Sequence, residues 1–179
     1  ADRRAAVRAQ VAAKAGEVPF GLLVLPLDFA DVRAPEGWDP VAVLGPRLGD
    51  LSSPNALAAY FRVASSARAQ LATTLGPLIH LSGERLDYSD LGWNGATRTR
   101  ALAREALEAA HALGVDFSRA DRDGDGEVDG VLLLHADVGL ENDPDDGLIV
   151  PLQFFLETPV LQNGVRAQSY AVASWHSAL

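Results

Sequence analysis

Asp121, Asp123 and Asp125 stand at alternate positions of one short segment, Gly126 follows the third, and Asp129 comes three residues after that glycine. Carboxylates held this close repel one another unless a cation sits among them. Calcium is a hard cation that takes about six to eight oxygen ligands, so a tight loop of carboxylates and a backbone carbonyl suits it. The spacing puts Asp121, Asp123 and Asp125 at positions 1, 3 and 5 of an EF-hand-type loop. Gly126 falls at the sharp turn of position 6, the carbonyl of Glu127 at position 7, and Asp129 at position 9, direct or water-bridged. Position 12 is Leu132 and not the bidentate Glu, so the likeness covers the first half of that loop only. The competing reading is a polar Asp/Gly turn between a helix and a strand. The expected ligand set is Asp121, Asp123, Asp125, Glu127 and Asp129, and the expected cofactor is a structural Ca2+.

The charge distribution agrees. The chain carries 24 acidic and 15 basic residues, a net charge of -9. The segment from Asp116 to Asp146 accounts for the whole imbalance, with 11 acidic residues against Arg119 and Arg122. Its second half, Asp137 to Asp146, reads as a solvated acidic loop, with completion of the first site or a second cation as the alternatives. No basic patch is visible to neutralise phosphates, so nucleic acid is not an expected partner.

Other chemistry has little to stand on. The four His residues are His80, His111, His135 and His176; no two are four apart, and none is followed by Glu. His80 and His135 sit in apolar stretches and read as hydrogen-bonded core residues, His111 as a helix-surface residue, and His176 as a packing residue beside Trp175. There is no G-x-S-x-G elbow, no G-x-G-x-x-G and no P-loop. The pairs Glu84/Asp87 and Glu105/Glu108 read as surface carboxylates. No catalytic residue is assigned.

These residues need a scaffold. A chain of 179 residues with 48% hydrophobic content and a mean hydropathy of +0.06 can bury one good core. No apolar run reaches the ~18 residues of a membrane span. Cysteine is absent, which removes disulfides and thiolate chemistry without deciding a compartment. The chain begins at Ala1 and not Met, so either a leader has been removed or the sequence simply starts there. A calcium loop lacking its strongest ligand fills best at extracellular calcium levels, so the expected location is extracytoplasmic: periplasm, cell surface or secreted.

Along the chain, Asp2 to Ala15 reads as a helix stopped by Gly16. Phe20 to Phe29 reads as a central strand with Pro26 near its end. Ala30 to Ser53, broken by Pro35, Pro40 and Pro46, is expected to be loop with at most short helical turns. Ser53 and Pro54 are expected to open a helix through Leu57, Tyr60, Phe61 and Ala64. Thr73 to Asp90 is expected to be extended. Thr97 to Leu113 is a helix with Leu102, Ala106, Ala109, Ala110 and Leu113 on one side. Val131 to Ala136 is a fully buried strand. Gly147 to Phe155 and Gln168 to Trp175 are strands, with a turn at Gln162-Asn163-Gly164 between them. No repeat or linker interrupts residues 1–179, so a single α/β (α+β) domain is expected, a mixed sheet with packed helices.

Three segments carry a family resemblance: Leu22 to Asp31, Ala59 to Ser65, and Val115 to Ala136. Together they resemble the immune inhibitor A family of secreted zinc metalloproteases. The first is similar to the strand "vvLvdFpD". The second is similar to the helix "yYrevSyG", with Ser66-Ala67 where that motif has Tyr-Gly. The third is similar to the calcium-carrying "vDfsqyDnDGDGyvDgvvvihAG". The resemblance implies a zincin-like fold, of which this chain is the N-terminal portion, incomplete at the C-terminus. In that family a helix with HExxH follows: two His one turn apart bind zinc, and the Glu is the general base. This chain has no such helix, and Zn2+ enters only if a continuation beyond residue 179 supplies it. Two functions therefore compete. One is the N-terminal part of an active secreted metallopeptidase. The other is a non-catalytic metalloprotease-like domain that serves as a structural or binding subunit, with other protein subunits or the remainder of its own chain as partners. An HExxH in the following residues favours the first, and a stop or a degenerate helix the second.

Overall fold

The computed structural model of the chain describes residues 18–89, 96–136, 149 and 151–175. The expected helix Asp2 to Ala15, the acidic stretch Asp137 to Asp146 and His176 lie outside the described residues. Six strands form one mixed sheet with four helices packed on it: β1 (Val18–Asp28), α1 (Pro40–Gly49), α2 (Leu57–Ala64), β2 (Ala69–Leu75), β3 (Ile79–His80), α3 (Arg85–Tyr88), α4 (Ala96–Ala112), a 3-10 turn (Phe117–Ala120), β4 (Gly130–His135), β5 (Leu152–Gln162) and β6 (Val165–Ser174). The strand order is β2-β1-β4-β6-β5, with β3 continuing the line of β2 beside β1. All neighbours are parallel except the β5–β6 hairpin.

β1 reads as an unbroken apolar run because both its faces are covered. Leu23, Leu25 and Leu27 point into a core shared with Leu102, Ala103, Ala106, Leu107 and Ala110 of α4 and with Phe117. That spacing makes one stripe along α4. Val24 points the other way, toward Leu44 and Leu48 of α1, Leu134 and Trp175. Pro26 costs no ladder bond. Val24 and Asp28 turn their carbonyls toward Gly76 and Leu81, so the even positions of β1 face β2 and β3. Pro26 falls where β2 has ended, opposite Val24, and β3 has not begun, opposite Leu27.

Local sequence and tertiary packing disagree in three places. The expected loop over Ala30 to Ser53 contains α1, ten residues long. Asp39 caps it by accepting from the Val41 N–H at 2.9 Å, and Pro40 opens it. Burial of Leu44 and Leu48 outweighs the interior Pro46. The next helix starts later than Ser53-Pro54 suggested, at Leu57 with Ala56 as its cap. Thr73 to Asp90 is extended only in part: β2 and β3 are followed by the single turn of α3. The Asn163-Gly164 turn is as the sequence indicated, with φ of 51° and 83° joining β5 to β6.

α2 ends in a turn that carries strain. Ala67 N–H reaches back to the Arg62 carbonyl at 2.6 Å and Ser66 N–H to that of Val63 at 3.0 Å. Ser66 and Ala67 both lie in the left-handed region, at φ of 56° and 63°. A Cβ there costs about 1–2 kcal/mol, against which a glycine loses about 0.5–1 kcal/mol of chain entropy. Ala67→Gly is therefore expected to raise stability by about 0.5–1 kcal/mol, read as a higher urea midpoint at unchanged slope.

Candidate metal centre

The Asp-rich segment connects the 3-10 turn to β4, and its carboxylates first of all hold their own backbone. Asp121 Oδ1 accepts from Gly124 N–H at 2.8 Å and Oδ2 from Gly126 N–H at 3.1 Å. Asp123 accepts from Asp125 N–H at 3.2 Å and Asp125 from Glu127 N–H at 2.8 Å. These side-chain turns wind the segment into a closed loop. Gly124 and Gly126, at φ of 75° and 85°, supply the left-handed bends.

Asp129 anchors the loop to the sheet. Its Oδ2 accepts from Gly21 N–H of β1 at 2.6 Å and from Arg122 N–H at 3.2 Å, while its own N–H donates to the Ala120 carbonyl at 2.9 Å. The exit is tied to β6. Val128 N–H donates to the Arg166 carbonyl, Arg166 N–H to that of Gly126, and the Arg166 guanidinium meets Glu127 Oε1 at 2.6 Å. Val128 is buried beneath.

The result is a cluster. Asp121, Asp123 and Asp129 each offer a carboxylate oxygen, and these atoms lie within 4.8 Å of one another. Such a triad can hold a metal ion. Asp125 is outside that group, its Oδ1 engaged by the Glu127 amide. Of the expected ligands, Asp121, Asp123 and Asp129 fall in one group and Asp125 is not part of it; Glu127 was expected to contribute its carbonyl, and its side chain pairs with Arg166. Every donor in the triad is a carboxylate oxygen, the ligand type of hard cations.

Neither a scan against protein-family models nor a search of curated proteins returns a match for this chain. The site's chemistry therefore has to be read from its own residues.

Among the described residues no His joins a metal-ligating group. His111 is exposed, as expected. His135 is buried, and its Nδ1–H donates to the Ala136 carbonyl at 2.7 Å. His80 is not a core residue: its side chain is 63% exposed, and Nδ1 donates to Asp28 Oδ1 at 2.8 Å. The two-residue β3 is too short to cover it. Sequence reasoning missed Asp28, which is fully buried and also accepts from Arg33 at 2.7 Å and from Ala34 N–H at 3.1 Å. An Asp closing an apolar strand, in Leu27-Asp28-Phe29, was the available signal. With three donors on it, Asp28 pins the chain after β1 to β3.

The remaining carboxylate pairs are structural. Asp87 accepts from the Glu84 N–H at 2.9 Å at the start of α3. Glu105 takes the Tyr88 hydroxyl at 2.5 Å and the Ser82 N–H at 2.7 Å. Burial pushes the Glu105 carboxyl up, but those hydrogen bonds together outweigh it and hold the group below its ordinary value. Burial, reinforced by Glu105, pushes the Tyr88 phenol up. A cleft of about 530 Å³ between α1, α2 and the strands β4 and β6 is lined by Leu44, Leu48, Leu57, Leu132 and Leu134. Among the described residues its lining includes no His, Asp or Glu. Among the described residues, no helix is long and apolar enough to cross a membrane.

Proposed function

We propose that this chain is a calcium-binding, metalloprotease-like domain that works outside the cytoplasm, is not catalytic as it stands, and uses the ion to fix the entry of β4 into the sheet. The observation that carries this reading is the convergence of Asp121, Asp123 and Asp129 within 4.8 Å on a loop anchored to β1. All-oxygen donors favour calcium over zinc, which prefers His and Cys. A loop without the bidentate Glu of position 12 has a modest affinity, on the order of 10⁻⁴ M, and fills at extracellular calcium levels. The resemblance to immune inhibitor A-like metalloproteases supports the metalloprotease-like part, since its calcium-carrying segment is the one that matches best.

The second reading is the N-terminal portion of an active secreted zinc metallopeptidase. It needs a two-His helix that residues 1–179 lack, so the catalytic zinc would be held elsewhere. The reading as a structural or binding subunit needs nothing further.

Calorimetric titration tests the proposal. Metal-free chain is expected to bind one Ca2+ with a Kd of about 10⁻⁴ M and Mg2+ more weakly, because Mg2+ demands near-octahedral geometry and dehydrates reluctantly. The same preparation is expected to leave casein uncut with or without zinc. Zinc displacing calcium from the loop, or no calcium heat at about 10 mM, refutes the metal assignment. Chelator-sensitive cleavage of casein refutes the non-catalytic one.

A further inference from the structure

The two edges of the sheet are protected very differently. β5 carries a register shift between Phe155 and Val160, a proline at 159 and a charge at Glu157. Arg100 stacks over the Phe154 ring at 4.7 Å and pairs with Glu157, and Arg104 donates to the Thr158 carbonyl at 2.6 Å. Bulges, prolines and charges are the usual means of blocking further strand pairing. β2 has none of them. Its seven residues, Ala-Gln-Leu-Ala-Thr-Thr-Leu, pair with β1 in unbroken register and include no charge and no proline. Among the described residues, the only hydrogen bond to its backbone beyond the β1 ladder is from Ala69 N–H to Ser65 Oγ. Every residue of the strand is half-buried or exposed.

A groove of about 420 Å³ opens at the start of this edge, lined by Leu51, Ala58, Arg62, Ala67, Gln70 and Leu71. Ala67, the second of the two strained residues, lines it. Strained backbone persists where the surroundings enforce it and concentrates at binding sites. Arg62 and Arg68 are exposed, and neither side chain has an ion pair among the described residues. On a chain of net charge -9 these two cations stand together at the start of an uncharged strand.

We propose that the β2 edge and this groove are a docking site for an extended, acidic-ended peptide segment of a partner protein, which adds to the sheet as one more strand. Main-chain hydrogen bonds along β2 supply affinity, and side-chain pockets beside a sheet edge supply selectivity. The groove takes one side chain of the segment, and Arg62 and Arg68 receive its carboxylates. Charge decides against a second copy of this chain as the occupant. β2 itself carries no carboxylate, so a β2–β2 pair would bring two arginines from each copy to a seam where neither strand supplies an acidic residue to meet them.

The test uses the full chain and a panel of short synthetic peptides alternating Val and Thr, with Glu at one or both ends. Amide hydrogen exchange along β2 is expected to slow when peptide is added, and fluorescence anisotropy of labelled peptide is expected to give a Kd that rises with salt. Replacing Arg62 and Arg68 together by Ala, a change confined to exposed residues, is expected to weaken binding about tenfold. Methylating alternate peptide nitrogens is expected to weaken it at least as much, because the added strand then lacks its donors. The proposal is overturned if no member of the panel slows exchange in β2 at about 1 mM. It is overturned equally if the methylated peptides bind as well as the parent. Protection of β2 that grows with protein concentration in the absence of peptide assigns the edge to a second copy instead.

Discussion

Saturating calcium is expected to raise the midpoint of thermal unfolding by roughly 5–10 °C over the chelated protein. A ligand that binds only the native state at about 100 times its Kd stabilises it by about 2.7 kcal/mol. At this chain length each kcal/mol moves the midpoint by about 2–4 °C. Asp121, Asp123 and Asp129 bring three carboxylate oxygens within 4.8 Å of one another, and a cation bound among them relieves their repulsion. The informative variant is Asp123→Asn. Asp123 accepts from Asp125 N–H through one oxygen, which Asn keeps, so that turn survives while the charge goes; Asp121 uses both oxygens, on Gly124 and Gly126, and Asn there would give up one of the two bonds. In chelator Asp123→Asn is expected to be at least as stable as wild type, because carboxylate repulsion is relieved. In calcium it is expected to be less stable than wild type. This crossing of the two melting series separates a metal centre from a polar turn. A polar turn predicts equal shifts in both solutions, and an unchanged wild-type midpoint on chelation of verified metal-free protein would refute the centre.

Much of this scaffold was legible in the sequence. β1, α4, β4 and the β5–β6 hairpin follow from a continuous apolar run, a helical stripe, a second apolar run and an Asn-Gly turn. Each is a local signal that agrees with the global packing. The misreadings came where packing overrode local cues. Three prolines suggested a loop over Ala30 to Ser53, yet Pro40 sits at the one helical position that needs no donor, and Leu44 and Leu48 bury against the sheet. His80 was expected in the core because its neighbours are apolar, but the sheet leaves it exposed beside the buried Asp28. In the loop, spacing alone pointed to Asp121, Asp123 and Asp129, which the fold groups, and also to Asp125, which lies outside that group. The contact of Asp129 with Gly21 was beyond reach of the sequence, since it joins residues 108 apart.

That contact singles out Gly21→Ala as the most damaging conservative change near the site. Gly-to-Ala replacements usually stabilise by about 0.4–1 kcal/mol through the unfolded chain. Here the sign reverses. A Cβ on Gly21 would lie 2.5 Å from the Ala120 carbonyl oxygen and 2.6 Å from its carbonyl carbon and Cα. All three are backbone atoms, so no side chain can swing aside. Ala120 is itself fully buried, and its carbonyl accepts from Asp129 N–H. To admit the methyl group, the 3-10 turn must lift from β1. That movement strains the Ala120–Asp129 bond and the bond from Gly21 N–H to Asp129 Oδ2 together. Overpacking of this kind costs about 1–3 kcal/mol, and the rigid neighbour places this case near the top of that range. Because Asp129 is one of the three converging carboxylates, its displacement should also weaken calcium binding, by about tenfold if the loss is near 1.4 kcal/mol. Urea unfolding in chelator gives the first quantity and calorimetric titration the second. Asp129→Asn serves as the reference, since it keeps one oxygen for Gly21 while removing the charge. If Gly21→Ala lowers stability and leaves the calcium Kd unchanged, the loop holds its geometry without β1, and the sheet does not organise the metal centre.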